Sequence, residues 1–298
     1  MRQWDALIIG GGPAGLTAAI YLGRFRRRVL LVDDGRSRLG RIAVSHNHPG
    51  FPEGVAGKEL LSRMRVQAER YGATFRSARI GDLSRKNGFF EVYLEGGSER
   101  APFVLLATGV VDVDPRLPGV ERAVERGLLR TCPICDAYEA IDKCIGVIGG
   151  GAHAVGEAQF LRTYSNDVTL IHIRSEAPLS IEERDGLHTA GVKLMESSID
   201  RVDMGENAVK ALSIGGTPYR FDVVYSALGI LPQNQLAQAA GAAVDQSGRL
   251  QVNEHQQTSV EGLYAAGDLV RGLNQISVAQ AEGAIAATDI HNRLRNVA

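Results

Sequence analysis

Cys132-Pro-Ile-Cys135 is followed at once by Asp136, and no other stretch of the chain concentrates as much chemistry. Two cysteines at this spacing can close a small disulfide ring, and a neighbouring group can tune the thiolate. Asp136 stands where a carboxylate can pass protons to and from sulfur. The same pair could bind metal, but a metal site needs two more ligands. There is no second C-x-x-C and no histidine pair at finger spacing, so no metal is expected. A buried pair with only a packing role is the plainer alternative. Cys144, the third cysteine, lies in an apolar run before a glycine turn and reads as core.

A second element able to do chemistry is Gly10-Gly-Gly-Pro13-Ala14-Gly15, which spells G-x-G-x-x-G through Gly10, Gly12 and Gly15. Binding a pyrophosphate needs a tight turn, then unobstructed backbone, then close helix–strand packing. The N–H groups and dipole of the following helix hold the phosphates. Asp33, 18 residues after Gly15, is placed to accept hydrogen bonds from a ribose diol. Gly149-x-Gly151-x-x-Ala154 is a looser copy of the device, either a second dinucleotide site or a structural relic.

The elements that must carry these turns are legible. Ala6 to Ile9 predicts a buried parallel strand, Leu16 to Gly23 a helix, and Val29 to Val32 a second strand. Cys144 to Ile148, Ala154 to Arg162 and Val168 to Ile171 repeat the β-α-β pattern about 140 residues later. Proline marks two crossover segments, Asp112 to Pro118 and Gly229 to Gln233. We therefore expect an α/β protein of two Rossmann-like nucleotide-binding domains, one inserted in the other. The first would comprise residues 1–111 and 234–298, and the insert, carrying the cysteine pair, residues 112–233.

Composition excludes several classes. The 298 residues are 44% hydrophobic and 22% charged, which are globular values. Lys+Arg is 33 against 34 Asp+Glu, a net charge of −1, so no nucleic-acid or membrane-surface partner is expected. Three cysteines do not make a secreted disulfide framework. Met1 to Asp5 leads straight into an apolar strand without a leader pattern, and no apolar run reaches the ~18 residues of a bilayer span. A cytoplasmic location is the expectation.

Six segments in order resemble the low-molecular-weight thioredoxin reductases and their relatives among FAD-dependent disulfide oxidoreductases. They are Gly10 to Gly15, Asn47-His-Pro-Gly-Phe51, Ala107-Thr-Gly109, Cys132 to Asp136, Gly149-Gly-Gly151 and Ala265-Ala-Gly-Asp268. The resemblance implies a three-layer ββα sandwich for each domain. It implies FAD held by Gly10, Gly12, Pro13, Ala14, Gly15 and Asp33, with Asn47, Thr108 and Gly109 near the flavin. Gly267 and Asp268 would hold the ribityl–phosphate region, and Gln275 and Ile276 would close over the ring. Cys135 would face the flavin, Cys132 would exchange with a thioredoxin-like protein or small dithiol or disulfide, and Asp136 would be the acid–base. A homodimer is implied too.

The chain departs from that pattern at the second turn. NADPH-dependent members carry H-R-R-x-x-x-R, where arginines grip the 2′-phosphate. Here His172-Ile173-Arg174 is followed by Pro178 at the distal arginine position. Losing a charged hydrogen bond costs ~1.5–3 kcal/mol, so weak use of NADPH is expected. His153 replaces a small residue in the turn, and its bland reading is a surface-loop histidine. Gly35 to Arg41 replaces the usual Gly-Gly-Gln segment and reads as a solvated loop or a phosphate contact. Arg24 to Arg28 suits the end of a helix.

The leading expectation is two-electron transfer between flavin and the Cys132–Cys135 pair. The candidate second pocket comprises Gly149, Gly151, His153, Ala154, His172 and Arg174. It would take pyridine nucleotide weakly or hold a second flavin nucleotide. Ferredoxin as donor, a dithiol oxidase passing electrons to oxygen, and a non-catalytic flavin redox sensor are the alternatives.

Overall fold

Strand β1, Ala6–Ile9, is buried at all four residues because both of its faces are covered. Ala6 and Ile8 join one apolar cluster, while Leu7 and Ile9 join another on the opposite face. That continuous apolar run is what makes the first sheet parallel and central. The structure is a computed structural model and describes residues 4–94, 97–173, 177–197, 199–204 and 209–296.

Helix α1, Pro13–Arg24, follows the glycine turn, and β2, Val29–Asp33, ends at the acid the sequence singles out. The helix starts earlier than Leu16 because proline suits the first helical position, where its missing N–H costs nothing. A 3-10 turn over Arg38–Arg41 precedes α2, Gly57–Arg70, and β3, Thr74–Ser77. Strands β4, Ile80–Lys86, β5, Phe89–Leu94, and β6, Gly97–Ala101, form an antiparallel sheet. Strand β7, Phe103–Leu106, then pairs parallel with β1, and β8, Val110–Asp112, leads out of this lobe.

The second lobe contains α3, Val120–Glu125, β9, Leu129–Arg130, α4, Pro133–Asp136, and β10, Ile145–Gly149. Next come α5, Gly151–Leu161, β11, Val168–His172, α6, Ile181–Thr189, and β12, Lys193–Glu196. Strands β13, Ile199–Met204, β14, Val209–Ile214, and β15, Thr217–Phe221, form an antiparallel layer ahead of β16, Val223–Ala227. Strand β17, Ile230–Pro232, returns alongside β8 as an antiparallel ribbon, with Ile230 opposite Asp112. Helix α7, Gln235–Ala239, β18, Leu263–Ala265, and α8, Ile276–Asn296, complete the first lobe.

Both parallel sheets have five strands, ordered β18-β7-β1-β2-β3 and β12-β11-β10-β16-β9. In each lobe an apolar cluster joins the sheet to helices on one face, and a second cluster joins it to antiparallel strands on the other. This is the three-layer ββα architecture the resemblance implies. Among the described residues no helix is long and apolar enough to cross a membrane.

Three local expectations need correction. Cys144 sits just outside β10, half-buried at the edge of its cluster, with Sγ 3.5 Å from the Arg220 carbonyl oxygen, so it is not core. Helix α5 starts at Gly151 rather than Ala154. His153 accordingly lies on the first turn of that helix rather than in a loop, with Nε2 3.3 Å from Glu157 Oε1. The basic run does close α1: Arg24 stacks over Tyr71 at 4.9 Å, and Arg28 pairs with Asp5.

Candidate active site

Gly10 has φ +110°, and a Cβ there would come within 2.3 Å of the Ala107 carbonyl oxygen. A Cβ on Gly15 would meet the Gly10 carbonyl oxygen at 2.0 Å, so this position lets α1 pack onto the turn. Gly12 differs: its missing Cβ would find only Ser37 Oγ, at 3.5 Å. Its backbone therefore faces open space. Gly12 also caps α1 without any side-chain acceptor, leaving the helix N–H groups directed at that space. Asp33 accepts the Gly11 N–H at 2.9 Å and the Gly35 N–H at 3.2 Å, which fixes the turn from the end of β2.

A cavity of about 1510 Å³ opens from this turn. Gly10, Gly12, Pro13, Ala14 and Asp33 line one end, and Asn47, Thr108 and Gly109 line its wall. Gly267, Asp268, Gln275 and Ile276 close it from the C-terminal segment, and Cys132, Cys135 and Asp136 reach it from the second lobe. Gly15 lies beneath the lining and is buried. Helix α8 approaches α1 so closely that a Cβ on Gly283 would lie 2.3 Å from the Ala14 carbonyl oxygen. That packing sets the start of α8, and with it Gln275 and Ile276, over the glycine turn. Thr108 Oγ1 donates to the Gln233 carbonyl at 2.7 Å and so ties the cavity wall to the returning linker.

Cys132 and Cys135 are joined as a disulfide with Cα atoms 5.3 Å apart. Cys132 caps the single turn of α4, Pro133 occupies the first position, and the Cys135 N–H donates to the Cys132 carbonyl at 2.9 Å. Gln275 Nε2 lies 3.5 Å from Cys135 Sγ and 3.7 Å from Cys132 Sγ. Asn47 Nδ2 donates to Gln275 Oε1 at 2.9 Å and orients that amide. Among the described residues no group of three His, Cys, Asp or Glu side chains could hold a metal ion.

Burial pushes the Asp136 carboxyl up to about 6, against the opposing pull of Arg130 and a hydrogen bond from Tyr225, while Glu139 adds to the rise. At the far wall Arg38 bridges two carboxylates. It contacts Asp112 through Nε and Nη2, the latter at 2.6 Å from Oδ1, and Asp268 Oδ2 through Nη1 at 3.0 Å. Arg41 pairs with Asp114 at 2.6 Å. The 35–41 segment is thus neither a free loop nor only a ligand contact; it ties the first lobe to the linker. Beneath Gly267, Glu282 accepts that residue's N–H at 2.7 Å, and burial pushes its carboxyl up to about 7.

The second glycine turn does not join this cavity. A Cβ on Gly149 would meet Ala154 Cβ and the Ala227 carbonyl oxygen, each at 2.7 Å, so these positions serve packing. Gly151 has open space around it, and His153 projects from the helix surface. His172 is buried, with Nε2 3.0 Å from the Ala177 carbonyl oxygen. Ile173 packs against the apolar cluster under β10. Arg174 lies outside the described residues.

Sequence reasoning passed over Arg130, Tyr225 and Glu282. A tyrosine within the strand-like segment Val223-Val-Tyr-Ser-Ala227 was a usable signal, because a buried hydroxyl needs a partner. Arg130 and Glu282 gave no comparable sign.

The family model of the pyridine nucleotide-disulphide oxidoreductases matches residues 4–283. The thioredoxin reductase of Peptoclostridium acidaminophilum is 32% identical over 305 residues, covering 96% of this chain and 95% of the relative. The crystal structure of HlmI superposes with a TM-score of 0.90 at 30% identity, covering 99% of this chain and 93% of the other. Thioredoxin reductase from Streptococcus pyogenes MGAS5005 gives a TM-score of 0.89 at 27% identity over 99% of both chains.

Proposed function

The chain belongs to the pyridine nucleotide-disulphide oxidoreductase family, and within it we propose a thioredoxin reductase-like enzyme that moves two electrons between FAD and the Cys132–Cys135 pair and on to a thioredoxin-like protein or a small dithiol or disulfide. The observation that carries this reading is that the sulfur pair and the glycine cradle line one cavity, with Gln275 of the same lining set against both sulfurs.

The residues present fit FAD. Gly12 leaves space that a side chain would fill, and the α1 N–H groups have no side-chain acceptor. Gly10, Gly12, Pro13, Ala14 and Asp33 would hold the adenosine and pyrophosphate, with Gly15 allowing the turn. Gly267 and Asp268 would hold the ribityl segment, and Asn47, Thr108, Gly109, Gln275 and Ile276 would surround the ring. When bound, FAD supplies a two-electron centre beside the disulfide.

The chain's own groups handle sulfur and protons. Reducing the disulfide breaks one S–S bond and takes up two electrons and two protons. Cys135, the nearer sulfur to Gln275, would exchange electrons within the cavity, and Cys132 would form the mixed disulfide with the partner. Asp136, able to hold or release a proton near neutral pH, would give one to the departing thiolate and retrieve it on reoxidation. Gln275 and Asn47 cover the pair from the side of the first lobe.

We assign residues 1–111 and 234–298 to the FAD lobe and 112–233 to the inserted lobe. The inward-turned His172 and apolar Ile173 support weak use of NADPH. Turnover tests the proposal: the purified protein should reduce a thioredoxin-like disulfide or oxidise a dithiol. Cys135→Ser should abolish that while leaving the flavin bound. Undiminished turnover in Cys135→Ser would reject it.

A further inference from the structure

Asp136 is the last residue of a one-turn helix, a poor platform for holding a side chain still. Its carboxylate is nevertheless held from two strands. Tyr225, fully buried in β16, donates its hydroxyl proton to Asp136 Oδ1 at 2.8 Å. Arg130, from the two-residue strand β9, donates through Nη1 to the Asp136 main-chain carbonyl at 2.9 Å and sets Nε 3.7 Å from Oδ2. Arg130 and Tyr225 are direct partners across the parallel pairing of β9 and β16, and Arg130 Nη1 lies 3.4 Å from the Tyr225 hydroxyl. The Gly127 carbonyl anchors the guanidinium from below, at 3.1 Å. A strand of only two residues thus delivers one arginine to the rear of the cysteine turn.

We propose that Arg130 and Tyr225 are positioning residues for the proton step, fixing the Asp136 carboxylate so that it gives its proton to, and takes it from, the Cys132–Cys135 couple from one place. The inference rests on Asp136 being the acid–base of the proposed function. Two further groups face Asp136: Glu139 from the turn after α4, and His46 from the first lobe. Glu139 disfavours the ionised carboxylate, while His46, Arg130 and Tyr225 favour it. Removing Tyr225 or Arg130 therefore leaves burial and Glu139 less opposed. Asp136 then keeps its proton to higher pH.

The test uses the holoprotein with its Cys132–Cys135 disulfide opened anaerobically by excess small-molecule dithiol, which is removed before alkylation, so it needs neither the protein partner nor the natural electron donor. Alkylation of Cys132 and Cys135 by iodoacetamide is followed against pH by peptide mass spectrometry, because an ionised carboxylate beside a thiol slows formation of the thiolate. The unmodified chain should show an inflection above the ordinary carboxylate range, because burial raises Asp136, and Asp136→Asn should lack it. Tyr225→Phe should move it upward by about half a pH unit to one, Arg130→Met by about one or more, and Arg130→Lys should restore part of the shift. An inflection unmoved in both Tyr225→Phe and Arg130→Met, with only the unfolding temperature lowered, would overturn the inference and leave Asp136 in its role. Coincident profiles for the unmodified chain and Asp136→Asn would reject the acid–base reading itself.

Discussion

Gln275 sets its side-chain Nε2 3.5 Å from Cys135 Sγ, so a residue of the C-terminal segment touches the disulfide of the inserted lobe. Their separation of 140 residues is closed by α8 packing on α1 from one side and by the β8–β17 ribbon from the other. The contact is polar, and an amide donor beside sulfur favours the thiolate formed when the disulfide opens.

Gln275→Leu should therefore slow disulfide turnover by roughly 10- to 100-fold, the effect of losing one hydrogen bond to a charged group. Because Gln275 also lines the flavin cavity, the rate is taken per bound flavin. Asn47→Ala, which frees the Gln275 amide to rotate but leaves it beside the sulfurs, should slow it less per bound flavin. Steady-state rates with a dithiol, beside absorbance of the bound chromophore, check both.

Protonation of Asp136 links activity and stability to pH. Its folded value of about 6 lies above the ordinary 3.8, so the folded state binds this proton more tightly than the unfolded chain. The associated stability is full below pH 3.8 and is lost as pH rises through 6. Asp136→Asn should thus be more stable than the unmodified chain at pH 8, by on the order of 2 kcal/mol, and should lose that advantage near pH 4. Denaturant unfolding at the two pH values measures it, and an equal difference at both would contradict the assignment.

Gly10 and Gly12 should part company on substitution. Gly12→Ala leaves the fold intact, because only Ser37 Oγ stands near the new methyl, but it should weaken FAD binding by about tenfold or more as the cradle narrows. Gly10→Ala puts a methyl against a carbonyl oxygen at a backbone angle glycine prefers, and should destabilise the lobe itself. Thermal unfolding beside FAD titration separates the two outcomes.

Ile173→Arg should improve reduction by NADPH by about tenfold or more if the second turn is a residual pyridine-nucleotide site, since a guanidinium adds a charged bond to the 2′-phosphate. Stopped-flow bleaching of the flavin reads the rate. Rapid bleaching of the unmodified protein at micromolar NADPH would contradict the weakened grip.

Much of the fold was legible because its main signals are local. Buried parallel strands such as Ala6–Ile9 read as unbroken apolar runs, and the glycine turn announces the helix behind it. The cysteine pair and Asp136 were legible for the same reason, since their chemistry lies in adjacent residues. What holds Asp136 was not. Tyr225 lies 89 residues from Asp136. Although Arg130 is only six residues away, it is the pairing of β9 with β16 that sets the two side by side behind the carboxylate. Neither the tyrosine as an unpartnered hydroxyl nor the arginine says which acid it meets. Arg38, 230 residues from Asp268, was hidden the same way, inside a basic stretch that reads as an ordinary solvated loop. Helix starts were misjudged because Pro13 and Gly151 look like breakers, although both suit a first turn.

An anaerobic reductive titration tests most directly whether flavin and sulfur form one redox unit. The purified yellow protein should accept four electrons per chain, two at each centre, and Cys135→Ser should accept two. A colourless protein that takes up no FAD, or equal uptake by both forms, would contradict the account.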